Sequence, residues 1–62
     1  DGMTLKAARV NAGLTQKAAA NKLGVSVYSL INYERGTSSP SVNVLKKIEE
    51  LYGIPYHRII FL

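Results

Sequence analysis

The stretch Gln16-Lys17-Ala18-Ala19-Ala20-Asn21-Lys22-Leu23-Gly24-Val25-Ser26-Val27-Tyr28-Ser29-Leu30-Ile31-Asn32-Tyr33-Glu34-Arg35-Gly36 decides how this chain folds. It holds two helical periods separated by three residues. Thr15 supplies a hydroxyl cap for a helix over residues 16–23, and Gly24 stops that helix in the left-handed region. Ser26 then caps a second helix over residues 27–35, stopped by Gly36. Ala19, Ala20 and Leu23 share one face of the first helix, as do Leu30 and Tyr33 on the second. Two helices joined only by Gly24, Val25 and Ser26 must cross steeply. Ala20 sits at the crossing with a side chain no larger than a methyl group.

The same punctuation continues outward. Thr4 caps a helix over residues 5–12 ended by Gly13. After the polar loop Thr37-Ser38-Ser39-Pro40, Ser41 caps a helix over residues 42–52 ended by Gly53. Pro55 suits the opening of a fifth helix at roughly residues 56–61. Leu5, Ala8 and Ala12 line one apolar face, and Val42, Leu45, Ile48 and Tyr52 another. No strand-like alternation runs long enough to compete. The fold class expected is therefore all-α, a compact five-helix bundle. Its 62 residues make one domain, which buries roughly 60 % of the surface its unfolded chain exposes. Residues 4–62 form that domain, and residues 1–3 read as an N-terminal remnant or arm.

Composition narrows the chemistry. The chain has no cysteine and one histidine, His57, whereas a metal site takes three or four ligands; no metal is expected. Ser26, Ser29 and Ser38 share no motif with a base, and no phosphate-cradling glycine pattern occurs. Neither an enzyme nor a cofactor is expected. No apolar run approaches the roughly 18 residues of a membrane span. Eight Lys/Arg against four Asp/Glu give a net charge of +4, which favours polyanionic partners such as phosphate backbones.

The second helix of the quoted pair discriminates further. At about 100° per residue, Leu30, Tyr33 and Glu34 fall on one side. Tyr28, Asn32 and Arg35 fall on the other, with Val27 and Ile31 at its edge. The outward side thus offers an amide, a phenol, a guanidinium and two aliphatic groups, and no acid. Asn bonds adenine at N6 and N7 together, and aliphatic groups rest on thymine methyls. A merely solvated face has little use for Val, Tyr and Ile together.

The elements Leu14-Thr15-Gln16, Leu23-Gly24-Val25-Ser26 and Asn32-Tyr33-Glu34-Arg35-Gly36, with Ala20, Leu30 and Pro40-Ser41 between and after them, resemble the phage Cro and repressor type of helix-turn-helix, the XRE family. The resemblance runs from about Leu5 to Ile60. It implies a lambda-repressor-like bundle that binds double-stranded DNA in the major groove, as a repressor-like transcriptional regulator of a bacterium or phage acting in the cytoplasm. By position it implies base contacts from Val27, Tyr28 and Asn32, to which the face geometry adds Ile31. It gives Gln16 a phosphate, at a helix N-terminus that favours an anion. Arg9 and Glu34 match a structural ion pair. Lys17, Arg35 and the loop Thr37, Ser38 and Ser39 complete the expected phosphate contacts. Lys6 is within reach of a phosphate but is left out of that set, and Lys22, Lys46 and Lys47 read as solvated.

The departures from the family are informative. The loop at Thr37–Ser39 lacks the usual basic residues, and Val27 replaces a polar residue. Ala8 and Ala19 stand where larger apolar groups are usual, so either the helices pack closer or Tyr33 and Tyr52 fill the space. Glu49 has no evident role. The run Ile59-Ile60-Phe61-Leu62 cannot all point inward on a helix; its surplus reads as a homodimer seam or, less favoured, as the beginning of a further domain. The weakly charged loop and the apolar Val27, Tyr28 and Ile31 also admit an alternative, a protein-interaction module that keeps the fold without binding DNA.

Overall fold

The computed structural model describes residues 2–61. The elements run β1 (Met3–Thr4), α1 (Leu5–Asn11), α2 (Gln16–Leu23), α3 (Val27–Arg35), α4 (Val42–Tyr52), a 3-10 turn at Tyr56–Arg58 and β2 (Ile59–Ile60). Each α-helix begins on a hydroxyl. Thr4, Thr15, Ser26 and Ser41 accept from the backbone N–H groups of Ala7, Ala18, Ser29 and Val44, at 3.0–3.3 Å. Such a cap is worth about 1 kcal/mol. Gly24, at φ 73°, ends α2. Its N–H donates to the Asn21 carbonyl, and the N–H of Val25 reaches back to that of Ala20. Satisfying those carbonyls with one left-handed residue keeps the α2–α3 connection to three residues.

The core is Leu5, Ala8, Ala19, Ala20, Leu23, Leu30, Ile48 and Ile59. Ala19 and Ala20 are at most 1 % exposed, so α2 is held at methyl distance from its neighbours. Two of the expected core faces are narrower than the periodicity suggests: Ala12 and Val42 are exposed. Both sit at helix ends, Ala12 as the residue closing α1 and Val42 as the first residue of α4.

Among the described residues the bundle has four α-helices, and the segment expected as a fifth helix is not α-helical. The segment makes one 3-10 turn, whose first N–H, that of Tyr56, donates to Glu49 Oε2 at 2.7 Å. Glu49 thus has a role as the cap of this turn. The chain then extends, and Ile59 and Ile60 pair in parallel with Met3 and Thr4. Ile59 points into the core at 6 % exposure while Ile60 points out at 50 %. The alternation of a strand sends one of this β-branched pair inward and the other outward. Gly2 passes so close that a Cβ there would lie 2.5 Å from the Arg58 carbonyl oxygen. Asp1 of the segment 1–3, and Leu62 of the expected seam, lie outside the described residues.

Candidate nucleic-acid interface

α3 presents the surface that its sequence lays out. Leu30 is fully buried and Tyr33 half-buried, whereas Tyr28 is 80 % exposed and Asn32 and Arg35 are open to solvent. Val27 and Ile31 are half-buried at the edge of the same face. Ser26 Oγ fixes the start of the helix, accepting from the N–H of Ser29 and donating to its hydroxyl, both at 3.0 Å.

Behind this face a polar network sets the position of α3 against α1 and α2. Arg9 Nε donates to Glu34 Oε2 at 2.7 Å, and Arg9 Nη2 to Oε1 at 3.3 Å. Arg9 Nη1 donates to the Leu14 carbonyl at 2.8 Å. The two side chains are only 9 % and 5 % exposed. Arg9 is therefore enclosed, its charge spent inside the domain. Gln16 Nε2 donates to Glu34 Oε1 at 3.1 Å. An amide nitrogen carries two N–H donors, so this bond holds the side chain still and leaves one donor for an outside acceptor. The Tyr52 hydroxyl is buried and makes no hydrogen bond. Burial, then the nearby Glu34 carboxylate, push its pKa up to about 12, with Arg9 pulling the other way. Tyr52 also lines a hollow with Ala8, so the space beside the small residue at position 8 is left partly open.

Two open hollows flank α3. One, of about 300 Å³, is lined by Lys6, Gln16, Ile31, Glu34 and Arg35. It gathers two of the expected phosphate contacts, Gln16 and Arg35, and adds Lys6. Lys6 lies three positions before Arg9, on nearly the same side of α1, so the partner assigned to Arg9 already indicated its direction. The other hollow, of about 520 Å³, brings Lys17 beside Ala18, Ala20, Asn21, Val25 and Val27. Thr37, Ser38 and Ser39 are exposed beyond the end of α3. Thr37 is partly engaged, its N–H and its hydroxyl both donating to the Asn32 carbonyl, at 3.0 and 3.2 Å.

The electrostatics are one-sided. α2 and the outward half of α3 carry no acid, and the carboxylate of Glu34 is neutralised by Arg9. Glu49 and Glu50 lie on α4 instead. Among the described residues no group of His, Cys, Asp and Glu suits a metal ion, and no helix is long and apolar enough to cross a membrane.

Two helices joined through a left-handed glycine, the second with its free side outward, define a helix-turn-helix domain. The family model described as "Helix-turn-helix" matches residues 5–59. The chain belongs to this family, in its Cro and repressor (XRE) branch. It is 45 % identical over 53 residues to the HTH-type transcriptional regulator ImmR of Bacillus subtilis, covering 86 % of this chain and 42 % of that protein. It is 35 % identical over 52 residues to the cryptic phage CTXphi transcriptional repressor RstR of Vibrio cholerae, covering 84 % of this chain and 47 % of that protein. The chain thus spans less than half the length of either relative. No solved structure matches it significantly.

Proposed function

We propose that this domain binds double-stranded DNA sequence-specifically through the major groove, as the DNA-reading part of a repressor-like transcriptional regulator. The observation that carries this reading is the acid-free outward face of α3, flanked by cations and anchored from behind by the Arg9–Glu34–Gln16 network. Val27, Tyr28, Ile31 and Asn32 meet base edges. Gln16, Lys17, Arg35, Thr37, Ser38 and Ser39 hold phosphates, and Lys6 joins them from the hollow it shares with Gln16 and Arg35. Arg9 and Glu34 act as a structural brace. That the two relatives are named a transcriptional regulator and a transcriptional repressor supports the regulatory part, and a regulator of this kind works in the cytoplasm.

Homodimerisation belongs to the same proposal, through a seam that differs from the expected Ile59–Leu62. Ile59 is occupied in the core, so the outward Phe61 joins Tyr56, Leu45 and Val42 in one apolar surface. Half-sites one duplex turn apart are about 34 Å from centre to centre. The longest dimension of the domain is 28 Å, so one copy covers one half-site.

Salt titration of binding to duplex DNA tests the reading. Each neutralised phosphate contributes about −0.9 to the slope of log affinity against log salt. The contacts above predict a slope of several units. Binding that is flat across salt contradicts the proposal and favours an interaction module without DNA binding.

A further inference from the structure

We propose that α3 recognises thymine C5-methyl groups, with Val27 and Ile31 as the specificity-determining pair, so that each half-site is A·T-rich at the centre of its contact with α3. This rests on the DNA-binding reading above and names the base chemistry that reading leaves open.

The outward surface of α3 divides into two rows. Tyr28, Asn32 and Arg35 form a polar row, exposed and able to hydrogen-bond. Val27 and Ile31 form an aliphatic row beside it, one helical turn apart, each half-buried. Half-burial matters because Val27 is packed against the core and Ile31 lines the hollow beside Gln16 and Glu34, while the remainder of each faces out. Both are β-branched and stiff about χ1, so docking them on a partner orders little that is not already ordered. The Val27 end continues into the hollow shared with Ala18, Ala20 and Val25. The Ile31 end borders the hollow that holds Lys6, Gln16 and Arg35.

Of the four base edges in the major groove, only thymine presents a methyl group. Val and Ile have no donor or acceptor to offer. Against guanine or cytosine they would cover polar base atoms without pairing them, which is costly. Against thymine they bury carbon on carbon. Residues four apart on a helix are separated by about 6 Å along its axis, against about 3.4 Å per base step, so the pair spans neighbouring or next-neighbouring thymines. Asn32, in the adjacent row, is placed for an adenine. Charge selects the occupant of the aliphatic row: Lys17 lies at its Val27 end and Lys6 and Arg35 at its Ile31 end, with no unpaired acid near. That arrangement matches the flanking phosphates of a duplex.

The test starts from duplexes selected by the 62-residue domain from a random library. Thymines in the selected site are then replaced one at a time by deoxyuridine, which removes the methyl and nothing else. We expect two thymines per half-site at which this weakens binding about fourfold each, the worth of one buried carbon, and no effect at thymines outside the α3 contact. Val27→Thr, which keeps the shape and replaces a methyl by a hydroxyl, should abolish the penalty at one of the two and leave the other. Ile31→Val should shrink the second. Selected sites without thymine in the α3 contact, or deoxyuridine duplexes that all bind like the parent, overturn the inference while leaving DNA binding intact. Failure of the unmutated domain to select any duplex overturns the DNA-binding reading itself, and this inference with it. The deoxyuridine series needs no variant protein, so a misfolded variant cannot decide the outcome.

Discussion

Glu34 carries more of the interface than its place behind it suggests. Its carboxylate takes Arg9 in a two-point contact and the Gln16 amide besides, tying α1, the start of α2 and the end of α3 together. Glu34→Ala leaves the Arg9 guanidinium enclosed with only the Leu14 carbonyl for company. It should cost about 3–5 kcal/mol, as removal of one partner from a buried pair does, measured by urea unfolding. Asn32 behaves differently, because it faces out. Asn32→Ala should lower affinity for a selected site by about 1–3 kcal/mol and leave non-specific binding unchanged, whereas Gln16→Ala should weaken all duplexes alike; competition binding separates the two. Tyr52 gives a third check at this scale. A phenol raised from 10.0 to about 12 favours the folded state while it is neutral, so its contribution is fully present below pH 10 and is lost as pH rises toward 12. The hydroxyl has no partner. Tyr52→Phe should therefore be close to neutral at pH 7 and should flatten the alkaline fall in stability.

At the scale of elements, the helices were legible because their ends are written in the sequence. Thr15 and Gly24, Ser26 and Gly36, Ser41 and Gly53 bracket α2, α3 and α4 at the bounds observed. The outward and inward sides of α3 follow from the same periodicity. The C-terminal pairing was not legible. Two residues give no periodicity to detect, Pro55 opens a 3-10 turn as readily as an α-helix, and the partner of Ile59 is Met3, at the far end of the chain. The role of Glu49 was hidden for the same reason, since it caps an element that the sequence assigns to another class. Lys6 was undervalued because its neighbours in the hollow, Gln16 and Arg35, come from other helices. The α2–α3 corner makes its own prediction. A Cβ on Gly24 would meet nothing closer than Lys47 Nζ at 3.5 Å, ordinary contact with a flexible side chain. Gly24→Ala should thus cost only the strain of φ 73°, about 1–2 kcal/mol, seen as a lower melting temperature without loss of helical content.

Over the whole molecule, a net charge of +4 matters less than where it sits. The acids of α4 lie on another helix, and the α2–α3 face is left to cations and amides. With core alanines holding α2 close and one left-handed glycine turning the corner, the domain projects α3 as the surface proposed to meet DNA. The most direct test is to follow the backbone amides of the labelled domain by NMR as duplex DNA is added. The largest shifts should fall on Val27–Asn32, on Gln16 and Lys17, and on Thr37–Ser39, with Lys6 moving too, while Glu50 on α4 stays still. Shifts confined to other surfaces with α3 unmoved, or none at all at low salt, would contradict the claim that this helix is what the domain uses to hold DNA.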